Sequence, residues 1–97
     1  MNLQILDEAI DDLAEGFLFY EDQEPGIGEY FLQSLQSDIE SLRVYAGIHQ
    51  VVFGYHRCLS KRFPFVIYYD LKRDSVRVHA VIDGRQNPAS IRRRLKR

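Results

Sequence analysis

Positive charge is nearly missing from the first half of this 97-residue chain. Residues 1–50 hold eleven acids and a single base, Arg43, whereas residues 51–97 hold twelve bases against Asp70, Asp74 and Asp83. The halves therefore stand near −10 and +9 although the whole chain is close to neutral. Cysteine is equally scarce. Cys58 is alone, which excludes an internal disulfide and suits a reducing compartment, with the thiol acting as a small buried hydrophobe. One cysteine and three separated histidines cannot supply the ligand set of a zinc finger, so neither a metal nor a cofactor is expected. No apolar run approaches the roughly 20 residues of a membrane-spanning helix. The N-terminal stretch is acidic where a secretory signal would be basic. These absences predict a cytoplasmic protein without a membrane partner.

What is present is enough apolar side chain for a packed globule. With 45% hydrophobic residues, six phenylalanines and six tyrosines, residues 1–97 read as one domain and not as a disordered chain. Clustered positive charge in the back half points to an anionic partner. The bland alternative is that the two halves neutralise each other across the fold, and both can hold at once.

Periodicity predicts helices first and strands afterwards. Leu6, Ile10, Leu13, Phe17 and Tyr20 recur at steps of three and four between acids, an amphipathic helix that ends at Glu24-Pro25-Gly26. Ile27, Phe31, Leu35, Ile39 and Leu42 mark a second helix, folded back on the first as an antiparallel hairpin. From Val51 the period changes. Residues 51–59, the run Phe65–Tyr69 and the alternating Val76, Val78, Ala80 and Ile82 predict a three-stranded antiparallel meander, with a turn over Leu71–Asp74 and Pro64 opening the middle strand. Residues 1–5 can add an edge strand, and residues 87–97 form a short basic helix or tail. The fold class is α+β.

This order of elements, together with certain local stretches, resembles the ParE/RelE superfamily of toxins from bacterial type II toxin–antitoxin systems over essentially the whole chain. The stretches are Ala9 with Asp12-Leu13, Gly26-Ile27-Gly28 with Phe31, residues 62–69, and residues 78–85 followed by Asn87-Pro88. The resemblance implies a toxin neutralised by a cognate antitoxin. The Phe-Pro-Phe strand and the later Arg-x-x-Pro favour the ParE branch, whose members would bind DNA gyrase and trap its cleaved-DNA state. The alternative is a RelE-like ribosome-dependent mRNA endoribonuclease. That chemistry needs a base, an acid and cations on the phosphorane. On the RelE pattern Pro64 falls where an arginine would stand, and Ile91 falls near the tyrosine position, while Arg85 matches. A ribonuclease would have to be rebuilt from Arg85, His79 and Lys61, with His56 as a further imidazole candidate. A third reading is a degenerate member that retains only antitoxin binding.

In the ParE-like reading no catalytic residue is needed. Target binding would fall to Lys61, Arg62, Arg85, Arg92, Arg93 and Arg94, with Lys96 and Arg97 beside them, since clustered cations suit DNA or an acidic protein. The antitoxin implied by the resemblance is a ParD-like ribbon-helix-helix protein, in a heterotetramer or larger assembly. Its flexible segment would cover Phe19, Tyr45, Phe53, Tyr55 and Arg57.

Overall fold

A computed structural model describes residues 1–96; Arg97, one of the expected target-facing bases, lies outside the described residues. β1 (Asn2–Ile5) leads into α1 (Asp7–Gln23), α2 (Ile27–Glu40) and a short helical turn, α3 (Leu42–Tyr45). β2 (Val51–Val52), β3 (Tyr55–Leu59), β4 (Phe65–Lys72) and β5 (Ser75–Asp83) follow, and α4 (Pro88–Leu95) ends the described chain. The strands form one sheet in the order β1-β5-β4-β3-β2. β1 lies parallel to β5 at one edge, and the remaining neighbours are antiparallel. The α+β architecture expected from the sequence is present, with one change in strand count. Residues 51–59 are not a single strand: Phe53 and Gly54, at φ 57° and 84°, make a two-residue turn between β2 and β3. Turns with two positive φ values match the right-handed twist of paired strands. The meander therefore has four strands.

The helix hairpin forms where the sequence places it. Gly26 takes φ 97° at no steric cost, and the Glu21 carboxylate accepts from the Gly26 and Gly28 amides, each at 3.0 Å. Those amides belong to the first turn of α2 and have no partner inside the helix. Phe31, Leu35, Ile39 and Leu42 are buried as the spacing predicts. α1 departs from its apolar stripe. Its buried line is Ala9, Asp12, Leu13 and Gly16, and Ile10 is 50% exposed. The cause is close approach: a Cβ on Gly16 would overlap the Phe31 ring, and one on Gly28 would lie 2.7 Å from the Phe17 carbonyl oxygen. Small residues, and not the largest hydrophobes, therefore mark the face on which α1 packs.

The sheet separates two cores. Cys58, Ile67, Tyr69, Val76, Val78 and Val81 pack with α1, α2 and Leu42. Tyr55, Val66, Tyr68, Ala80 and Ile82 face the other way, against Ile91 and Leu95 of α4. The alternation read from β5 does not survive intact. Tyr68 pairs with Ala80 and Tyr69 with Val78, so His79 is an extra residue on β5. A bulge of this kind reverses the parity of everything beyond it. Val81 joins the helix side, and Ala80 and Ile82 turn to α4.

Candidate target-binding surface

The C-terminal helix is placed by its cap, its apolar residues and one ion pair. Asn87 caps it, its Oδ1 accepting from the Ala89 amide at 2.8 Å, with Pro88 in the first turn. Ile91 and Leu95, four residues apart, bury on the outer sheet face. Arg94 reaches past the edge of β5 and donates to both oxygens of Asp12, Nη1 to Oδ1 at 2.8 Å and Nη2 to Oδ2 at 2.7 Å. The same carboxylate accepts the Val81 N–H at 2.8 Å. That amide lies beyond Ile5, where the pairing of β1 with β5 stops opposite Val78. Asp12 thus completes the free edge of the sheet and ties α1, β5 and α4 together. Arg94, expected among the target-binding cations, is committed to the fold instead.

Among the described residues Arg94 is the one base whose ion pairs join the acidic half to the basic half, through Asp12 and Glu8. The other pairs are local: Arg43 with Glu40, Arg77 and His79 with Asp70, Arg85 with Asp83. Neutralisation of one half by the other is therefore slight. Arg92 and Arg93 stand exposed on α4, Lys96 just past its end, and Lys61 and Arg62 on the loop between β3 and β4. The Lys61 backbone is fixed to buried Asp38, whose Oδ2 accepts from the Ser60 hydroxyl at 2.7 Å and the Lys61 N–H at 3.3 Å. Arg85 forks onto Asp83 at 2.8 and 3.1 Å. Its side chain is 69% exposed, and a pair so open to water contributes little. The guanidinium is thus available to a stronger anion. The hydrogen bond from Arg85 holds the Asp83 carboxyl below its usual pKa.

The three residues of the ribonuclease alternative are not brought together. Arg85 and Lys61 lie at one end of the β4–β5 hairpin, where Phe65 pairs with Asp83. His79 sits four residues back along β5 from Asp83, roughly 13 Å at the usual strand rise. It has different company. Asp70 on β4 accepts from His79 Nε2 at 2.9 Å and from Arg77 Nε and Nη2 at 2.9 and 2.7 Å. Burial alone would raise the Asp70 pKa, but the Arg77 hydrogen bonds and the nearby His79 outweigh it and hold the group below 3.8. His79 also lines a cleft of about 470 Å³ under the end of α4, with Tyr55, Asp7, Glu8 and Arg94. His56 is elsewhere, stacked on Tyr69 with ring centroids 4.9 Å apart.

Nor do the expected antitoxin residues line one groove. Phe19, 58% exposed, flanks a cleft between α1 and the end of β5 together with Phe65, Val81 and Ile82. Tyr45 is exposed on α3, near Val44 and Ile48 in sequence, both also exposed. Phe53 and Tyr55 belong to a cleft beside α4, but Tyr55 is buried under that helix. Arg57 is half-buried on β3, opposite Tyr68. Sequence reasoning missed the structural carboxylates Asp12, Asp38 and Asp70. For Asp12 a signal existed: positions 9, 12, 13 and 16 follow helical spacing once small residues are counted with the apolar ones.

His49 lies in the loop between α3 and β2 and packs at the core's rim, edge-on to the Tyr69 ring. Its Nδ1 lies 2.5 Å from the Tyr69 hydroxyl, which also accepts from the Gly47 N–H at 2.9 Å. Burial first, and then the charge of neighbouring His56, lower the His49 pKa from 6.5. A group that binds protons less readily when folded stabilises fully above its unfolded pKa, and that contribution erodes as pH falls through it. The urea midpoint is therefore expected to drop between about pH 8 and about pH 5. The His49→Gln variant should show a shallower drop, and an unchanged slope in that variant would remove His49 as the cause.

No protein-family model matches the chain, and no curated protein matches it. Among solved structures, a chain described as the chromosomal ParDE TA system from P. aeruginosa superposes with a TM-score of 0.78 at 19% sequence identity. The match covers 86% of this chain and 95% of that one. The fold is ParE/RelE-like. In that ParE/RelE-like frame the sheet carries the helix hairpin on one face and α4 on the other, and no helix among the described residues is long and apolar enough to cross a membrane.

Proposed function

We propose that the chain is the toxin of a type II toxin–antitoxin system, held by a ParD-like ribbon-helix-helix antitoxin and acting by binding DNA gyrase. The observation that carries this reading is the ParE/RelE-like fold with Arg92, Arg93 and Lys96 at its C-terminal helix and Lys61 and Arg62 before β4, all exposed and in no ion pair among the described residues. Exposed Phe19 and the apolar side chains of Val44, Tyr45 and Ile48 support a partner that covers them. The assembly would be a heterotetramer or larger. Purified chain should inhibit supercoiling by the host's gyrase and raise cleaved-DNA complexes, with both effects reduced about tenfold when Lys61, Arg62 and Arg85 are changed to glutamine together. Gyrase that works normally in its presence would sink the proposal.

One observation favours a second reading, a RelE-like ribonuclease: the Asp70 carboxylate orients the His79 imidazole in a cleft. Expression would then yield mRNA fragments cut on translating ribosomes, and His79→Ala would suppress them about 100-fold. Intact transcripts during growth arrest would end that alternative.

A further inference from the structure

The outer side of α4 faces a cleft of about 700 Å³ against the β2–β3 turn, a size within the roughly 300–1,000 Å³ of small-ligand sites. Phe53, Tyr55, Arg92, Arg93, Leu95 and Lys96 line it. Among the described residues no acid does, in contrast to the cleft that His79 shares with Asp7 and Glu8. Arg92 and Lys96 form no ion pair among the described residues, and Arg93 donates to Ser90 within its own helix at 3.2 Å. Phe53 is the unusual member. Its φ of 57° lies in the left-handed region, which bulky side chains avoid and where asparagine or glycine would sit without strain. A ring held there, 40% exposed, strains the turn and joins neither core.

We propose that this cleft binds a single-stranded nucleic acid, with a base stacked on Phe53 and adjoining phosphates on Arg92, Arg93 and Lys96. Unpaired cations beside an exposed aromatic face are what a flexible polyanion with stacking surfaces requires. In a duplex the base faces are hidden in the stack, so a double helix could use the cations but not the ring. An acidic peptide would also satisfy the charges, but it gives no reason for an aromatic ring at a strained turn position. The inference deepens the toxin reading and rests on it for the cellular source of such a strand. The binding itself is testable without gyrase or antitoxin.

The experiment is fluorescence anisotropy of the full chain with a fluorescein-labelled oligothymidylate of about 12 nucleotides, spanning one cleft and its flanks. Three phosphate contacts predict about a 20-fold loss of affinity between roughly 50 and 200 mM salt. Phe53→Asn relieves the turn, so it should melt no lower than the parent while binding about tenfold more weakly; Phe53→Trp should retain binding. Changing Arg92, Arg93 and Lys96 together to glutamine should flatten the salt dependence. Undiminished binding by Phe53→Asn would overturn the proposal, as would no binding at low salt. A polyglutamate peptide that displaces the strand and binds more tightly, with no sensitivity to Phe53→Asn, would assign the cleft to an acidic protein instead. If gyrase is untouched while the oligonucleotide binds as described, the gyrase reading fails and the cleft stands.

Discussion

Asp12→Ala is expected to destabilise the chain by about 3 kcal/mol, the largest effect of any single carboxylate, because three donors lose their acceptor at once. The Val81 N–H sits on a strand edge that β1 no longer covers, and Val81 is itself buried. Without Asp12 this amide is shut away from water unpaired, and such a donor costs its full desolvation penalty. Arg94 loses both of its close contacts at the same time. α4 then holds by Ile91, Leu95 and the longer Arg94–Glu8 pair at 3.4 Å, so its docking on Tyr55 and Tyr68 should loosen as the melting temperature falls by roughly 15 °C. Asp12→Asn keeps one acceptor for the amide and should lose about half as much. Arg94→Ala should cost about 1 kcal/mol, since the guanidinium is partly solvated and Asp12 keeps the amide. The ranking Asp12→Ala, then Asp12→Asn, then Arg94→Ala in thermal melts is the check. A melt within about 2 °C of the parent for Asp12→Ala would mean that the carboxylate is not structural.

Gly28→Ala and Gly16→Ala should each destabilise by about 2–3 kcal/mol, the opposite of what helix propensity alone predicts. In an unconstrained helix interior the exchange of glycine for alanine stabilises by about 1 kcal/mol. Here the new methyl has no room. At Gly28 it would lie 2.7 Å from the Phe17 carbonyl oxygen and 2.8 Å from the Glu21 Cβ, so α1 and α2 must move apart. That shift would also disturb the Glu21 carboxylate that caps α2 through the Gly26 and Gly28 amides. At Gly16 it would enter the ring of Phe31, which is fully buried. That ring is held by Tyr20, Phe63 and Phe65 at centroid distances of 4.9–5.1 Å, so it has nowhere to turn. Urea denaturation decides the sign directly: a midpoint above the parent's for either variant would contradict the packing described.

The cations of α4 and of the loop before β4 were legible in the sequence because charge clustering needs no geometry. Their availability was not legible, since it depends on which acids lie nearby in space: Asp12 comes from 82 residues away in sequence to engage Arg94, and Asp83 comes from only two residues before Arg85. The aromatics expected under the antitoxin were chosen by composition, and the sheet distributes them. Tyr55 goes under α4, Phe53 to a turn and Phe19 to the α1 edge. His79 and Arg77 stand two residues apart on β5. The Asp70 carboxylate that joins the two comes from the facing strand, by a pairing that no spacing announces.

By itself the amino-acid order determined the two-helix hairpin, the change to strands after it and the division of charge between the halves, because periodicity, turn residues and composition act over a few neighbouring positions. The tertiary structure alone decided which face of α1 is buried, where β5 reverses parity, and which bases remain free. Each of those depends on contacts between segments far apart in the chain. There a missing Cβ, one extra strand residue at His79 or one shared carboxylate at Asp12 outweighs the local pattern.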